Sequence, residues 1–184
     1  MAKAKGSTFV GVVKYLRREG EAAKKVLPER LHHYLTDRIS PATWYPEEDW
    51  LELVRAQSKL VRKPEGNVFE TIGRWAVREH AEGVYHHLLT GNSDPLALPR
   101  RLFALWSSQH DTGRFVLTLE GENLARVDLV DYAHPSAEMC QLLRGYLSEI
   151  LRLAGLRNPT AEKAHCRLSG ADRCTWRCSW DKPA

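Results

Sequence analysis

The spacing of apolar residues divides this 184-residue chain into a helical first part and a mixed second part. Phe9, Val12, Val13 and Leu16 recur at helical intervals, and a second amphipathic stripe follows "REGE". Pro46 precedes three acidic residues, which is typical of a helix start, because a first turn needs no amide hydrogen there and favours negative charge. The pattern therefore predicts amphipathic helices over residues 1–64.

The second part of the chain combines long helices with segments of period two. Asn67 can cap a helix from Val68 to Leu89, and "DPLALPRRLFALWSSQH" predicts another. "RFVLTLEGENLARVDLVDY" predicts a hairpin that turns at Gly121-Glu122-Asn123. "HPSAEMCQLLRGYLSEILRLAG" then predicts a long helix, and "PTAEKAHCRLSGADRCTWRCSW" predicts a second hairpin around Gly170.

The order of these elements favours one architecture. Several helices, a hairpin, a helix and a hairpin predict an α+β protein, in which two hairpins separated by a long helix form a four-stranded antiparallel sheet covered by helices. We expect residues 1–64 to be a helical region that packs on a core domain of residues 65–184.

Charge and hydropathy limit the classes of partner. No apolar segment is long enough to cross a bilayer, and the N-terminus lacks the apolar region of a signal peptide, so we expect a cytoplasmic protein without membrane insertion. The net charge is +4. Acidic residues interrupt the densest group of cations, which is typical of a solvated helix face rather than a nucleic-acid surface. That group contains Lys14, Arg17, Arg18, Lys24, Lys25 and Arg30, and we expect no nucleic-acid partner.

Three of the four cysteines, Cys166, Cys174 and Cys178, lie within thirteen residues near the C-terminus. In a reducing compartment, thiols or metal ligands are favoured over disulfides. If the second hairpin turns at Ser169-Gly170-Ala171, Cys166 and Cys174 become cross-strand neighbours with Cβ atoms ~5 Å apart. Cys178 lies about 13 Å further along the strand, too far to join them.

The element order and the ending Cys166-x7-Cys174, which follows a helix containing Gly145-Tyr146-Leu147-Ser148, resemble the 4-vinyl-reductase-type small-molecule-binding domain. That family shares its fold with haem-nitric-oxide-binding (H-NOX) domains and with subunits of the TRAPP vesicle-tethering complex. The segment "SPATWYPEEDW" is also similar to a set of uncharacterised myxobacterial paralogues. The resemblance implies a domain that binds a small ligand and regulates another protein.

The resemblance further implies a zinc ion held by a helix cysteine, a glutamate and two hairpin cysteines. Cys140, Cys166 and Cys174 match the three cysteines and are the candidate metal ligands. The glutamate position is Lys163 in this chain, and a cation there repels a metal ion. Zinc therefore stands as an alternative to three reduced, buried thiols.

The eight histidines raise the question of haem, and H-NOX proteins carry a proximal histidine and a Tyr-x-Ser-x-Arg motif. Tyr146-x-Ser148 begins that motif here, but Ile150 follows where the arginine should stand, so we do not expect haem. The pairs His32-His33 and His86-His87 point about 100° apart on a helix and are given no role. Without a nucleophile elbow or a phosphate-binding glycine loop, we do not expect an enzyme.

Apolar and aromatic residues of the long helices and first hairpin are candidates for lining a ligand pocket, the alternative being that they fill the core. These candidates are Trp75, His80, Tyr85, Phe103, Trp106, Phe115 and Leu117. We predict a non-enzymatic sensor that binds a small apolar or aromatic ligand without a resident cofactor, forms a homodimer and signals through a protein partner. Two alternatives stay open, a TRAPP-like interaction protein with a filled core and a sensor that contains zinc or haem.

Overall fold

The computed structural model describes residues 1–82 and 97–182, except for the side chains of His80, Glu82, Leu98 and Leu102. The predicted helix from Val68 is described as far as Glu82. Its expected continuation to Leu89, together with the pocket candidate Tyr85, lies outside the described residues.

The N-terminal part consists of helices and a two-stranded sheet. The sequence pattern predicts helices in this region but not the sheet. The strands pair antiparallel, with Ala4 opposite Tyr45, and three-residue strands are too short to show a period of two. Its elements are β1 (Lys3–Lys5), α1 (Gly6–Glu19), α2 (Glu21–Val26), α3 (His33–Thr36), β2 (Trp44–Pro46) and α4 (Glu47–Leu60), with a 3-10 turn at Glu29–Leu31.

The C-terminal part contains a four-stranded antiparallel sheet and three helices. Its elements are α5 (Val68–Glu82), α6 (Ala97–Gln109), β3 (Arg114–Gly121), β4 (Leu124–Val130), α7 (Ala137–Leu153), β5 (Thr160–His165) and β6 (Cys174–Ser179), with a 3-10 turn at Arg167–Ser169. The strands lie in the order β3-β4-β6-β5. The predicted α+β class is confirmed, and so is the four-stranded antiparallel sheet.

Local sequence signals explain where the two central helices begin. The Asn67 side chain accepts hydrogen bonds from the amides of Phe69 and Glu70 at 2.9 and 3.3 Å, and so caps α5. The Ser136 hydroxyl accepts from the amide of Met139 at 3.1 Å and caps α7. Each cap satisfies amide groups that the first helical turn leaves without an acceptor.

Helices α5 and α7 pack closely because glycines stand where they cross. A Cβ atom on Gly145 would meet the carbonyl group of Glu70, and one on Gly73 would meet the carbonyl group of Leu142. The crossing holds α7 against the sheet, whose central strands bury Val127, Trp176 and other residues in one core cluster. In the described part of the chain, no helix is long and apolar enough to span a membrane.

Candidate functional site

Three cysteines from different elements converge beside the sheet. Cys140 lies on α7, Cys166 follows β5, and Cys174 begins β6. The Sγ of Cys140 lies 3.7 Å from the Sγ of Cys166 and 3.9 Å from that of Cys174, and all three sulfur atoms are within 4.8 Å of one another. The three residues that the sequence singled out as metal ligands therefore form one thiol cluster.

Lys163 contacts this cluster from β5. Its Nζ lies 3.1 Å from the Sγ of Cys140 and 3.5 Å from the centre of the Trp176 ring, which stands opposite Lys163 in the β5–β6 pairing. The ammonium group thus donates a hydrogen bond to sulfur while the indole face stabilises its charge. A positive charge occupies the place where a metal site of four ligands needs a fourth donor.

The contacts within the cluster favour a thiolate on Cys174 over one on Cys140. The hydrogen bond from Cys140 lowers the pKa of Cys174 to about 5, against the effect of burial, with help from the Arg167 backbone and Lys163. The same hydrogen bond, together with burial, raises the pKa of Cys140, although Lys163 acts to lower it. A thiolate is the form that binds metal ions and attacks electrophiles, so the cluster is suited to such chemistry at neutral pH.

The fourth cysteine is separate from the cluster, as its position along the strand predicts. Cys178 pairs with Ala125 and Ala161 in the middle of the sheet, and burial raises the pKa of its thiol to about 12. The register of the second hairpin agrees with the expected placement of Cys166 beside Cys174. After an irregularity between Lys163 and His165, His165 pairs with Thr175, so the next position along the hairpin sets Cys166 beside Cys174, although Cys166 itself lies beyond β5, before the 3-10 turn.

A second polar cluster lies buried where β1 meets the N-terminus of α4 and the end of α6. The Nδ1 of His110 and the Oε1 of Glu47 are 2.5 Å apart, and the two side chains are 6% and 1% exposed. The Glu47 amide donates to the carbonyl of Ala2, and His110 forms a bridge with Ala4, so β1 and the residue before it anchor Glu47 and His110. The second carboxylate oxygen of Glu47 is buried without a hydrogen-bond partner.

Aromatic rings surround this histidine. Trp106 stacks on His110 with ring centres 3.8 Å apart, and Trp50 packs edge-on at 6.2 Å. Tyr132 packs edge-on against Trp106, and burial, followed by the charge of Glu47, raises the pKa of its hydroxyl. A buried carboxylate and imidazole in an aromatic shell form a polar centre within the core.

The structure brings three of the pocket candidates together. Phe103 and Phe115 have ring centres 4.8 Å apart, and Trp106 lies 4.9 Å from Phe115. Leu117 is half-buried against the same core cluster. Among the other candidates, Trp75 stacks on Tyr15 of α1 at 6.2 Å, while the side chain of His80 and all of Tyr85 lie outside the described residues. Their role as ligand contacts stays a prediction.

Sequence reasoning missed the pair of Glu47 and His110. Glu47 stands in a run of three acids at a helix start, which indicates a solvated first turn. His110 lies one residue beyond the end of α6, where a polar residue is ordinary. The sequence did contain a signal of burial in two aromatic residues. Trp50 lies three positions after Glu47, and Trp106 lies four positions before His110, so at helical spacing each tryptophan shares a face with one of the two polar residues.

No protein-family model and no curated protein sequence matches this chain. The solved structures do give matches. An H-NOX protein from S. oneidensis in its Fe(II)NO state is 14% identical, with a TM-score of 0.69 over 97% of this chain and 99% of that one. The chain has the H-NOX fold. An H-NOX variant from K. algicida in the unliganded Fe(II) state is also 14% identical, with a TM-score of 0.64 over 97% of both chains.

The comparison contradicts the expectation that haem is absent. A further match, from work on haem distortion in the H-NOX family, is 13% identical and has a TM-score of 0.64 over 98% of this chain and 96% of the other. These matches are H-NOX proteins, and the last of them is described by its haem. The lack of one arginine, with Ile150 in its place, is too little to decide the cofactor of a fold.

Proposed function

We propose that this chain is an H-NOX-type sensor domain that binds haem as its small ligand and passes the signal to a protein partner in the cytoplasm. One observation carries the proposal: haem proteins share the fold over 97% of this chain and 99% of the S. oneidensis protein. Gas-sensing and regulatory domains act by binding rather than by catalysis, so the proposal is non-enzymatic.

The donor chemistry of His110 fits a haem ligand. It is the one buried histidine among the residues that the structure describes, and its Nδ1 forms a hydrogen bond with Glu47. A carboxylate on one ring nitrogen fixes the tautomer and leaves the lone pair on the other nitrogen, which is the usual arrangement of a metal-bound histidine. Trp106 covers a face of the ring and not its edge, where that lone pair lies. Haem held by one histidine supplies an iron that can take a diatomic gas.

The arginine of the Tyr-x-Ser-x-Arg haem motif has no counterpart in α7. Ile150 stands where the arginine of a Tyr-x-Ser-x-Arg motif would lie, and its side chain is fully buried in α7. Helix α7 therefore supplies no cation for a haem propionate at this position. His110 is the group on which the proposal can be tested most directly.

Haem titration of the purified chain tests the proposal. We expect a shifted Soret band that saturates at one haem per chain, its loss in His110→Ala, and its retention in His165→Ala, which removes an exposed histidine. Circular dichroism reports whether His110→Ala folds, and added imidazole should restore the band in that variant. A Soret band that neither saturates at one haem nor depends on His110 contradicts the proposal.

A second candidate function, a metal site at the thiol cluster, is favoured by the spacing of the sulfur atoms. Thiolates bound to one ion at about 2.3 Å stand about 4 Å apart, whether the site has three or four ligands. The observed separations from Cys140, 3.7 and 3.9 Å, fit that spacing. We propose that Cys140, Cys166 and Cys174 bind a thiophilic ion such as zinc.

Metal analysis after dialysis against zinc tests this second candidate. Cys140→Ala should lose the bound metal, and Cys178→Ala is the matched control because it removes a thiol buried elsewhere in the sheet. Equal loss of zinc in both variants, or equal retention, contradicts a site at the cluster.

A further inference from the structure

A groove of about 600 Å³ lies on the surface between α1 and the segment that follows α3. Its walls include none of the residues of the thiol cluster or of the His110 centre. The cations of this region stood out in the sequence as Lys14, Arg17 and Arg18, and the proposed sensor function gives them no role.

The floor of the groove is apolar. Val13 is buried in the core, while Val10 and Ile39 extend the floor toward solvent. Val10 is 38% exposed, which makes it one of the few large apolar side chains of the described residues that stand in water. An apolar strip on the outside of a helix gains free energy when another apolar surface covers it.

The rim of the groove is basic. Lys14, Arg17, Arg18 and Arg38 line it, and none of the residues described at the groove is acidic. Arg18 packs over the ring of Tyr15 at 5.8 Å, and neither it nor Arg38 forms an ion pair with a described residue. Two arginines on opposite walls, unpaired within the described part of the chain, present a positive field toward whatever enters the groove.

The shape of the groove is fixed by hydrogen bonds within the protein. The Arg17 guanidinium donates to the carbonyl oxygen of Tyr34 at 2.9 Å and to that of Asp37, which ties the wall after α3 to α1. A surface that needs no ordering on binding loses less entropy when a partner docks.

We propose that this groove docks an acidic amphipathic helix of the protein partner. The proposal rests on the partner signalling of the proposed function and adds the surface and its chemistry. A helix lays apolar side chains three and four positions apart along a groove, here onto Val10 and Ile39, while flanking carboxylates meet Arg18 and Arg38. The groove is open to solvent along α1, which suits a helix that keeps its far face in water.

Fluorescence anisotropy with two labelled peptides tests the docking surface on the full chain. One peptide is a helix of about five turns with leucine at every third or fourth position and glutamate elsewhere, and the other has lysine in place of glutamate. We expect the acidic peptide to bind and the basic one to bind about tenfold more weakly or not at all. Val10→Ser should weaken the acidic peptide without changing the net charge.

A charge-reversed pair and a matched control separate this groove from general attraction. Arg18→Glu/Arg38→Glu should raise the Kd of the acidic peptide about tenfold. Lys25→Glu/Lys59→Glu makes the same change in net charge at exposed positions outside the groove and should leave the Kd unchanged. Equal weakening in both double variants, no binding of the acidic peptide, or preference for RNA or anionic vesicles over the peptide overturns the proposal.

Haem titration of the same double variants distinguishes failure of the groove from failure of the sensor. If haem binds and the acidic peptide does not, the docking surface is wrong and the sensor function stands. If the peptide binds at Arg18 and Arg38 and haem does not bind, the groove stands and the sensor function falls.

Discussion

The ammonium nitrogen of Lys163 lies 3.1 Å from the sulfur of Cys140, so the side chain that completes the thiol cluster is a cation. The same nitrogen stands 3.5 Å from the centre of the Trp176 ring, which keeps the charge in this position. Three sulfur ligands and one ammonium group describe a metal site that lacks its fourth donor. The charge at residue 163 should therefore set the affinity of the cluster for zinc.

Lys163→Glu is expected to tighten zinc binding by about 10- to 100-fold, because a carboxylate would replace the repelling ammonium group and supply a fourth ligand. Competition with a chromophoric chelator measures the Kd. Lys163→Gln removes the charge without adding a strong ligand and should give an intermediate affinity. An unchanged Kd in both variants would show that the three sulfur atoms do not bind zinc together.

The buried pair of Glu47 and His110 should contribute strongly to stability. Glu47→Ala leaves the Nδ1–H group of His110 without its 2.5 Å acceptor in the core, and leaving a buried donor unpaired in this way costs about 1–3 kcal/mol. Urea unfolding gives the change in free energy. Glu52→Ala is the control, because its ion pair with Arg55 lies near the surface and such pairs contribute about 1 kcal/mol or less. Equal losses of unfolding free energy in the two variants would show that the buried pair stabilises the fold no more than the surface ion pair does.

The sequence predicted the elements whose pattern extends over several turns or strand residues. Helices α1, α4 and α7, and the strands of both hairpins, follow from apolar spacing and from caps such as Ser136. The pair β1 and β2 could not be predicted, since three residues carry no period and their pairing joins positions about forty residues apart. The division into residues 1–64 and 65–184 stays a prediction.

The sequence predicted which cysteines form the thiol cluster, and it did not predict the surroundings of Glu47 and His110. Cys140, Cys166 and Cys174 could be grouped because a helix packed on the hairpin brings them together, and their sulfur atoms do converge. The irregularity between Lys163 and His165 was not predictable, because a bulge in a strand leaves no mark in the alternation of residues. The burial of Glu47 depends on contacts with β1 and α6 that its own helix does not reveal.

Gly145 is expected to be essential for the packing of α5 against α7. In Gly145→Ala the new methyl group would meet the Glu70 backbone, so the two helices must separate, and overpacking of this kind costs about 1–3 kcal/mol. Thermal unfolding followed by circular dichroism measures the loss. Gly121→Ala is the control, since the nearest atom to its new methyl group is the Cβ of Leu124 at 3.8 Å. A Tm as high in Gly145→Ala as in Gly121→Ala would contradict the close crossing.

Protonation of Glu149 should lower the free energy of unfolding at acid pH. This carboxylate is 2% exposed and accepts hydrogen bonds from Arg152 at 2.6 Å and Arg78 at 2.8 Å. Burial acts to raise the pKa of Glu149, but the two guanidinium groups outweigh it and hold the pKa below its ordinary value. Because the unfolded chain then binds a proton more readily than the folded one, stability is present above the ordinary carboxyl pKa and falls as the pH drops through the lowered value.

Unfolding free energies measured in urea between about pH 6 and pH 3 test this dependence. Glu149→Gln cannot take up the proton, so its free energy of unfolding should be lower than that of the natural chain at pH 6 and should change less as the pH falls. Glu122→Gln makes the same substitution at an exposed turn and should follow the natural chain. If Glu149→Gln retains the full slope of stability against pH, the acid sensitivity arises from carboxylates other than the one that joins α5 to α7 through Arg78.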